Sequence, residues 1–216
     1  MADAAPTRLD RRKARTRAAL IQAAQTLIAD GRTNTAVLEL TQAADVGMGS
    51  FYNHFSSKDE LFRAAVEDAL DRHGAAMDEL TRDMIDPAEV FAYSFRLTGR
   101  LHRRRPQLSK VLLNTGLSIA TSEHGIAPRV RRDIQAGIRT GRFTVADPEL
   151  AFTIAAGAAL CLGQLLHTQP DRDDAEAADQ ITEDLLRTFG IPADEAHQIS
   201  RRPLPNLDRL LPDAIA

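Results

Sequence analysis

Two groups of residues in this chain of 216 have the types and spacing to do chemistry. The first is Arg8, Arg11, Arg12, Lys13, Arg15 and Arg17, six cations within ten residues at the start of an amphipathic segment. Cations oppose the positive end of a helix dipole, so a solvated helix start is a poor use for them. A flexible basic arm that follows phosphates or enters a minor groove is a better one. The second group is Gly49 and Ser50, just ahead of Phe51 and Tyr52. Small residues at the start of a short helix let its backbone approach a polyanion, and helix N-terminal amides suit phosphates and base edges. Lys58 stands against the dipole in a first helical turn, which also favours an anion as its partner. Arg103-Arg104-Arg105 falls at a helix C-terminus, where positive charge is favourable in itself.

The elements that must position these residues are helices. Alternating Val/Ile/Thr runs are absent, and short Gly/Pro/Asp breaks separate segments with helical periodicity. The pattern predicts nine or ten helices. The first runs from about Asp10 to Ala29 and stops at Gly31. A second spans about Thr35 or Ala36 to Ala44, and a short third about Met48 to Asn53. Ser57-Lys58-Asp59-Glu60 reads as a capping box opening a fourth helix, which continues to about Met77. Asp86-Pro87 and Asp147-Pro148 each place a cap before a first-turn proline, and Pro106 starts a further helix. Residues 36–61 thus form a helix, a turn at Ala44-Asp45-Val46-Gly47 and a short second helix. Leu40, Val46 and Phe51 are expected to fill the core between them.

That helix-turn-helix carries Ala44-x-Val46-x-x-Gly49-x-x-Tyr52-x-His54-Phe55-x-x-Lys58-x-x-Leu61, preceded by Ala36-Val37-x-x-Leu40. With it the chain closely resembles the tetracycline-repressor (TetR) family of bacterial transcription regulators. The motif covers about the first seventy residues; beyond it the likeness is one of architecture. The resemblance implies an all-α fold: a helix-turn-helix three-helix DNA-binding domain plus a C-terminal helical ligand-binding and dimerisation domain. The corresponding division is a flexible arm over 1–9, a DNA-binding domain over 10–56 and a larger domain over 57–216. The resemblance places Gly49 and Ser50 against the major groove. It gives Tyr52, Asn53 and His54 contacts to phosphates or base edges, and Lys58 a grip on the DNA backbone. Asp45 stands where the family usually has Gly, and Gly47 where it has a Ser or Thr cap. Asp45 is expected to point sideways, away from phosphate. Ala36 replaces a phosphate-contacting Thr, for which Thr35 is an imperfect substitute, and Met48 replaces a Lys. Binding should therefore lean more on the N-terminal arginines, Arg11 and Arg12 among them. Phe55 is expected in the core.

The larger domain should hold a small, mainly apolar effector among Met77, Met84, Phe91, Phe95, Leu112, Leu113, Leu117, Phe152 and Leu162. Tyr93, Asn114, Gln164 and His167 are its polar candidates. Ala155 to Ala159 and Gly163 make a helix of small residues over about 148–167 that lets a neighbour approach closely. With a helix over about 175–189 it suggests the four-helix homodimer interface that the resemblance implies, and helix-turn-helix dimers must span two half-sites. The charge-free run Leu150–Pro170 is long enough to cross a bilayer. Its Ala, Gly, Thr, Gln and His content instead favours a buried helix, with no membrane partner.

Other classes fit poorly. A composition of 44% hydrophobic and 26% charged residues excludes disordered, collagen-like and rod-like chains. The six histidines show no metal-ligand spacing, and the single cysteine, Cys161, fits a reducing compartment. No phosphate loop, nucleophile elbow or paired carboxylate framework appears, so neither an enzyme nor a cofactor is expected. The N-terminus enters the arginine cluster directly, without a secretory pattern, and a cytoplasmic protein is expected. The net charge of -3 conceals an asymmetry. The first 35 residues hold seven Lys/Arg and three acids, a balance of +4 that leaves -7 on the rest. The leading expectation is a ligand-responsive repressor that binds a palindromic operator as a homodimer. An activator of the same fold, or a helical small-molecule binder without repressor function, is the alternative.

Overall fold

The computed structural model describes residues 7–116, 123 and 125–204. These form ten α-helices and, among the described residues, no strand: α1 (Arg8–Ala29), α2 (Val37–Ala43), α3 (Met48–Tyr52), α4 (Lys58–Leu80), α5 (Pro87–Arg104), α6 (Pro106–Thr115), α7 (Ile126–Arg139), α8 (Pro148–Thr168), α9 (Asp174–Thr188) and α10 (Ala193–Ser200). The chain divides into two compact units, Met1–Ala69 and Leu70–Ala216, so this division falls inside α4.

In the first unit α1 begins at Arg8, not Asp10, because Thr7 and Asp10 make a reciprocal capping box. The Asp10 amide donates to Thr7 Oγ1 at 3.2 Å, and the Thr7 amide donates to Asp10 Oδ2 at 3.0 Å. Arg8 thus joins Arg11, Arg12, Lys13, Arg15 and Arg17 in the helix, and residues 1–6 of the expected arm lie outside the described residues. Buried Leu20, Ala24, Leu27, Leu40, Phe51, Phe55 and Leu61 make this unit's interior, while Val46 is only half-buried. Gln25 ties α1 to α4 by donating to the Ala65 carbonyl and to Asp68 Oδ2, each at 2.9 Å.

The turn between α2 and α3 explains Asp45. Its φ is +52°, the left-handed region that glycine enters freely and Asp or Asn enters more readily than most residues. The Asp45 amide donates to the Gln42 carbonyl at 3.1 Å and the Val46 amide to Thr41 at 2.9 Å. Those two bonds close a Schellman motif on the last carbonyls of α2. At α4, Ser57 Oγ accepts from the Glu60 amide at 3.2 Å as expected. Glu60 reaches back one residue further than a capping box requires, accepting from the Ser56 amide at 2.7 Å and from Ser56 Oγ at 2.6 Å.

In the second unit α5 packs against α6, α7, α8, α9 and α10. Its core includes Phe91, Phe95, Ile134, Phe143, Phe152, Leu166, Leu186 and Phe189. Phe189 lies 5.2 Å from both Phe91 and Phe143, centroid to centroid. The Phe143 ring crosses α7 over Gly137, where a Cβ would collide with it. Asp86 caps α5 by accepting from the Ala88 amide at 2.9 Å, and Arg142 holds the same carboxylate through two bonds at 2.9 and 2.8 Å. Arg96 is buried between α5 and α9. Its Nε and Nη2 donate to Asp179 at 2.8 and 3.2 Å, and Arg100 meets the same carboxylate at 2.7 Å. Helix α8 buries Phe152, Ala155, Leu162 and Leu166 on one side. Leu150, Ile154 and Cys161 stay exposed on it, so within the single chain the helix is half-buried. It is the one described helix long and apolar enough to cross a membrane by length and composition.

Candidate functional site

The polar surface expected of the first unit is set by α1, α3 and the start of α4. Arg11 and Arg12 are exposed on α1. Helix α3 is little more than one turn, opened by Gly47 without a side-chain cap. On it Met48 and Gly49 are exposed, Ser50 is half-buried and Tyr52 is 60% exposed. The Tyr52 ring is held edge-on to buried Phe51 at 5.1 Å, so the larger part of an aromatic side chain is presented outward by a core anchor. Asn53 is exposed and His54 half-buried, while Phe55 goes into the core under the guanidinium of Arg17, 5.0 Å from its ring centroid. Lys58 Nζ donates to Asn34 Oδ1 at 3.1 Å. Thr35 departs from this surface. It is 5% exposed and its hydroxyl donates to the Arg32 carbonyl at 2.6 Å, bracing the loop before α2.

The second unit contains a cavity of about 250 Å³ with a mainly apolar lining. Of the residues expected to line an effector site, Met77, Phe91, Phe95, Leu112 and Phe152 do. Tyr93 instead packs beside Met77 and Leu97, and Met84 lies in the turn after α4. Leu113 and Asn114 on α6 and Gln164 on α8 do not line this cavity; Asn114 and Gln164 are exposed. Leu117 lies outside the described residues.

Sequence reasoning missed the polar half of the lining. On α5, Ser94, Thr98 and His102 share the stripe of Phe91 and Phe95, at the three- and four-residue spacing of one helix face. That spacing was the available signal. On α4 and α7 the missed residues are His73, Asp78, Arg129, Arg132 and Asp133. Arg129 Nε donates to Asp78 Oδ2 at 2.7 Å and its Nη1 to the Gly125 carbonyl at 2.5 Å. Arg132 donates to Asp78 Oδ1 at 2.8 Å and to Asp133 Oδ1 at 2.9 Å. Gly74 makes room for this: a Cβ there would stand 2.6 Å from Arg129 Nη1. Burial pushes the Asp78 carboxyl up, but its bonds to Arg129 and Arg132 outweigh that and hold it below the usual range. Burial keeps the Asp133 carboxyl above it.

Two neutral imidazoles complete the lining. Burial, with the charges of His102 and Arg129, depresses the His73 pKa to about 4. Burial and His167 do the same for His102, also to about 4, against an opposing influence from the Ala159 carbonyl. Ser109 Oγ bridges His102 Nδ1 and His167 Nε2 at 2.7 and 2.8 Å. His167 is thus linked to the lining without being part of it. Among the described residues no three His, Cys, Asp or Glu side chains converge to hold a metal ion.

Residues 20–65 match the family model for bacterial regulatory proteins of the tetR family, and residues 86–202 match the tetracyclin repressor-like C-terminal domain. The structure of RolR in complex with resorcinol is 35% identical, covers 91% of this chain and 98% of its own, and superposes with a TM-score of 0.74. The chain belongs to the TetR family. RolR without ligand aligns at 34% identity and a TM-score of 0.71, covering 88% of this chain and 98% of its own. The fatty acid degradation regulator FadR from Bacillus halodurans shares the fold at 19% identity and a TM-score of 0.66, over 79% of this chain and 94% of its own. No curated protein matches the chain. As a TetR-family transcriptional regulator it carries the helix-turn-helix of that family in α2 and α3, within its first unit.

Proposed function

We propose that this TetR-family regulator is a cytoplasmic homodimeric repressor, released from a palindromic operator by a small aromatic molecule that bears hydroxyl groups. The observation that carries this reading is the cavity of about 250 Å³, with Phe91, Phe95 and Phe152 on its apolar lining and the Asp78–Arg129–Arg132–Asp133 cluster at its edge. A ring fits the aromatic lining, and the carboxylates and guanidinium groups offer its hydroxyls acceptors and donors. The likeness to RolR, whose structure holds resorcinol, supports that class of effector.

In this reading the first unit reads DNA and the second senses and pairs. Gly49 and Ser50 approach the major groove. Tyr52, Asn53 and His54 contact phosphates or base edges, Met48 flanks them, and Lys58, Arg11 and Arg12 hold the backbone. Thr35 serves as the brace that positions α2. Leu150 and Ile154 on the outward side of α8, with α9, supply the dimer contact that sets two half-sites about 34–36 Å apart. Helix α4 carries Lys58 near one end and Met77 and Asp78 near the other, so an effector that favours a different α4 position alters the DNA grip. It must bind the DNA-incompatible state more tightly, since equal affinity for both states shifts nothing. A coupling of about 1–3 kcal/mol corresponds to release that is roughly 5- to 150-fold easier.

The test is a mobility shift with DNA flanking the protein's own coding region, with and without resorcinol. Specific retardation, lost on adding resorcinol and abolished in Tyr52→Ala/Lys58→Ala, is expected. Unchanged specific binding by that double variant overturns the DNA surface, and retardation that resorcinol strengthens overturns the repressor mechanism.

A further inference from the structure

The cavity is lined by two imidazoles, each with a buried nitrogen that has no hydrogen-bond partner among the described residues: His102 Nε2 and His73 Nδ1. His73 is 4% exposed. Its Nε2 lies 2.9 Å from Thr98 Oγ1. The single hydroxyl proton of Thr98 is already donated to the Ser94 carbonyl at 2.8 Å. Thr98 can therefore only accept from His73, which fixes the imidazole proton on Nε2. Nδ1 is left as a bare lone pair, buried and without a partner. Arg129, the neighbouring cation, directs its Nε to Asp78 and its Nη1 to Asp71 and the Gly125 carbonyl. Buried acceptors are almost always paired, so an orphan on a side chain that lines a cavity marks a place where a ligand completes the set.

Resting on the reading of this cavity as the effector site, we propose that His73 Nδ1 is the hydrogen-bond acceptor for an effector hydroxyl, and that it makes the cavity select aromatic rings with a free donor over their methyl ethers. The neutral state agrees with the depressed pKa, since a protonated ring could not accept. The second hydroxyl of a diol is served elsewhere. Asp78 lies five residues further along α4, about 7.5 Å at 1.5 Å per residue. Met77 and the ring of Phe95 lie among the apolar lining that receives the carbon skeleton.

Calorimetric titration of the full-length protein with resorcinol, 3-methoxyphenol and 1,3-dimethoxybenzene tests this. In the wild type the first methylation should weaken binding about tenfold, the loss of one well-made hydrogen bond, and the second should weaken it again. His73→Gln keeps a donor towards Thr98 but removes the acceptor at Nδ1. It should bind resorcinol about tenfold more weakly and 3-methoxyphenol as well as resorcinol, within about threefold. His73→Asn, whose carbonyl oxygen can stand where Nδ1 stood, should restore the preference for resorcinol. A merely structural histidine would lower all affinities together and leave the preference intact. If Ala156→Phe, which fills the cavity, abolishes binding while His73→Gln keeps the wild-type preference, the His73 assignment is overturned and the cavity reading survives. If Ala156→Phe binds resorcinol like the wild type, the cavity reading fails and His73 with it. A wild type that binds the dimethyl ether as tightly as resorcinol overturns the proposal without any variant.

Discussion

Lowering the pH from 7.5 to 5.5 should loosen the second unit through two buried imidazoles. His73 and His102 are 4% and 3% exposed, and each has a pKa of about 4 in the folded protein. An unfolded histidine titrates near 6.5, so as the pH falls the unfolded chain takes up protons first. The stability held in these groups is fully present above pH 6.5 and is lost progressively towards pH 4. By pH 5.5 the loss is about 1.3 kcal/mol for each imidazole, roughly 2.5 kcal/mol for the pair. His167, also depressed by burial and by the charges of Lys110 and Arg103, changes in the same sense. Asp133, raised by burial, changes in the opposite one. Asp78 and Asp86 are held low, and their stabilisation is lost only below this window. Urea unfolding followed by far-ultraviolet circular dichroism at constant ionic strength gives the free energy at each pH. The double variant His73→Gln/His102→Gln should retain little of the pH dependence. Equal stabilities of the wild type at the two pH values, or a double variant that loses as much as the wild type, would refute the reasoning.

Other expectations concern charge burial and backbone shape. Asp179→Ala leaves Arg96, 3% exposed, and Arg100 without their shared carboxylate, and should cost about 3–5 kcal/mol in thermal or urea unfolding; a loss below about 1 kcal/mol contradicts this. Asp45→Gly should be neutral or stabilise by up to about 1 kcal/mol, because glycine adopts the φ of +52° without strain. Asp45→Val should cost about 1–2 kcal/mol in the same unfolding assay, and a Val variant as stable as the wild type would dispose of the left-handed turn.

Local rules carried the fold far. Asp86-Pro87 and Asp147-Pro148 start α5 and α8 because a cap and a first-turn proline act within four residues, whatever lies elsewhere. The same kind of rule at Thr7 and Asp10 extends α1 back to Arg8. Asp45 was visible as a departure from a glycine, but its physical sense needed the backbone angle. In the cavity the legible half was the apolar one. Phe91, Phe95, Phe152 and Met77 declare themselves by type, whereas Ser94, Thr98 and His102 occupy the same helix face with residues that usually face water. Arg129 and Asp78 meet across 51 positions of sequence, and no local pattern specifies such a pair. Thr35 is a similar case: a hydroxyl suited to phosphate is equally suited to a carbonyl three residues away.

The lining of the cavity also differs in compliance from one side to the other. Met77 on α4 has three rotatable bonds and can coil aside for a larger guest. Opposing it in kind, Ala155, Ala156, Gly157 and Ala159 on α8 have no side-chain torsion through which to yield. A methyl group added to a bound ring is absorbed first by the soft wall. Once that slack is used, these four positions can respond only by moving their backbone, because close-packed interiors transmit strain. Guest size, and not polarity alone, then decides whether α8 is displaced.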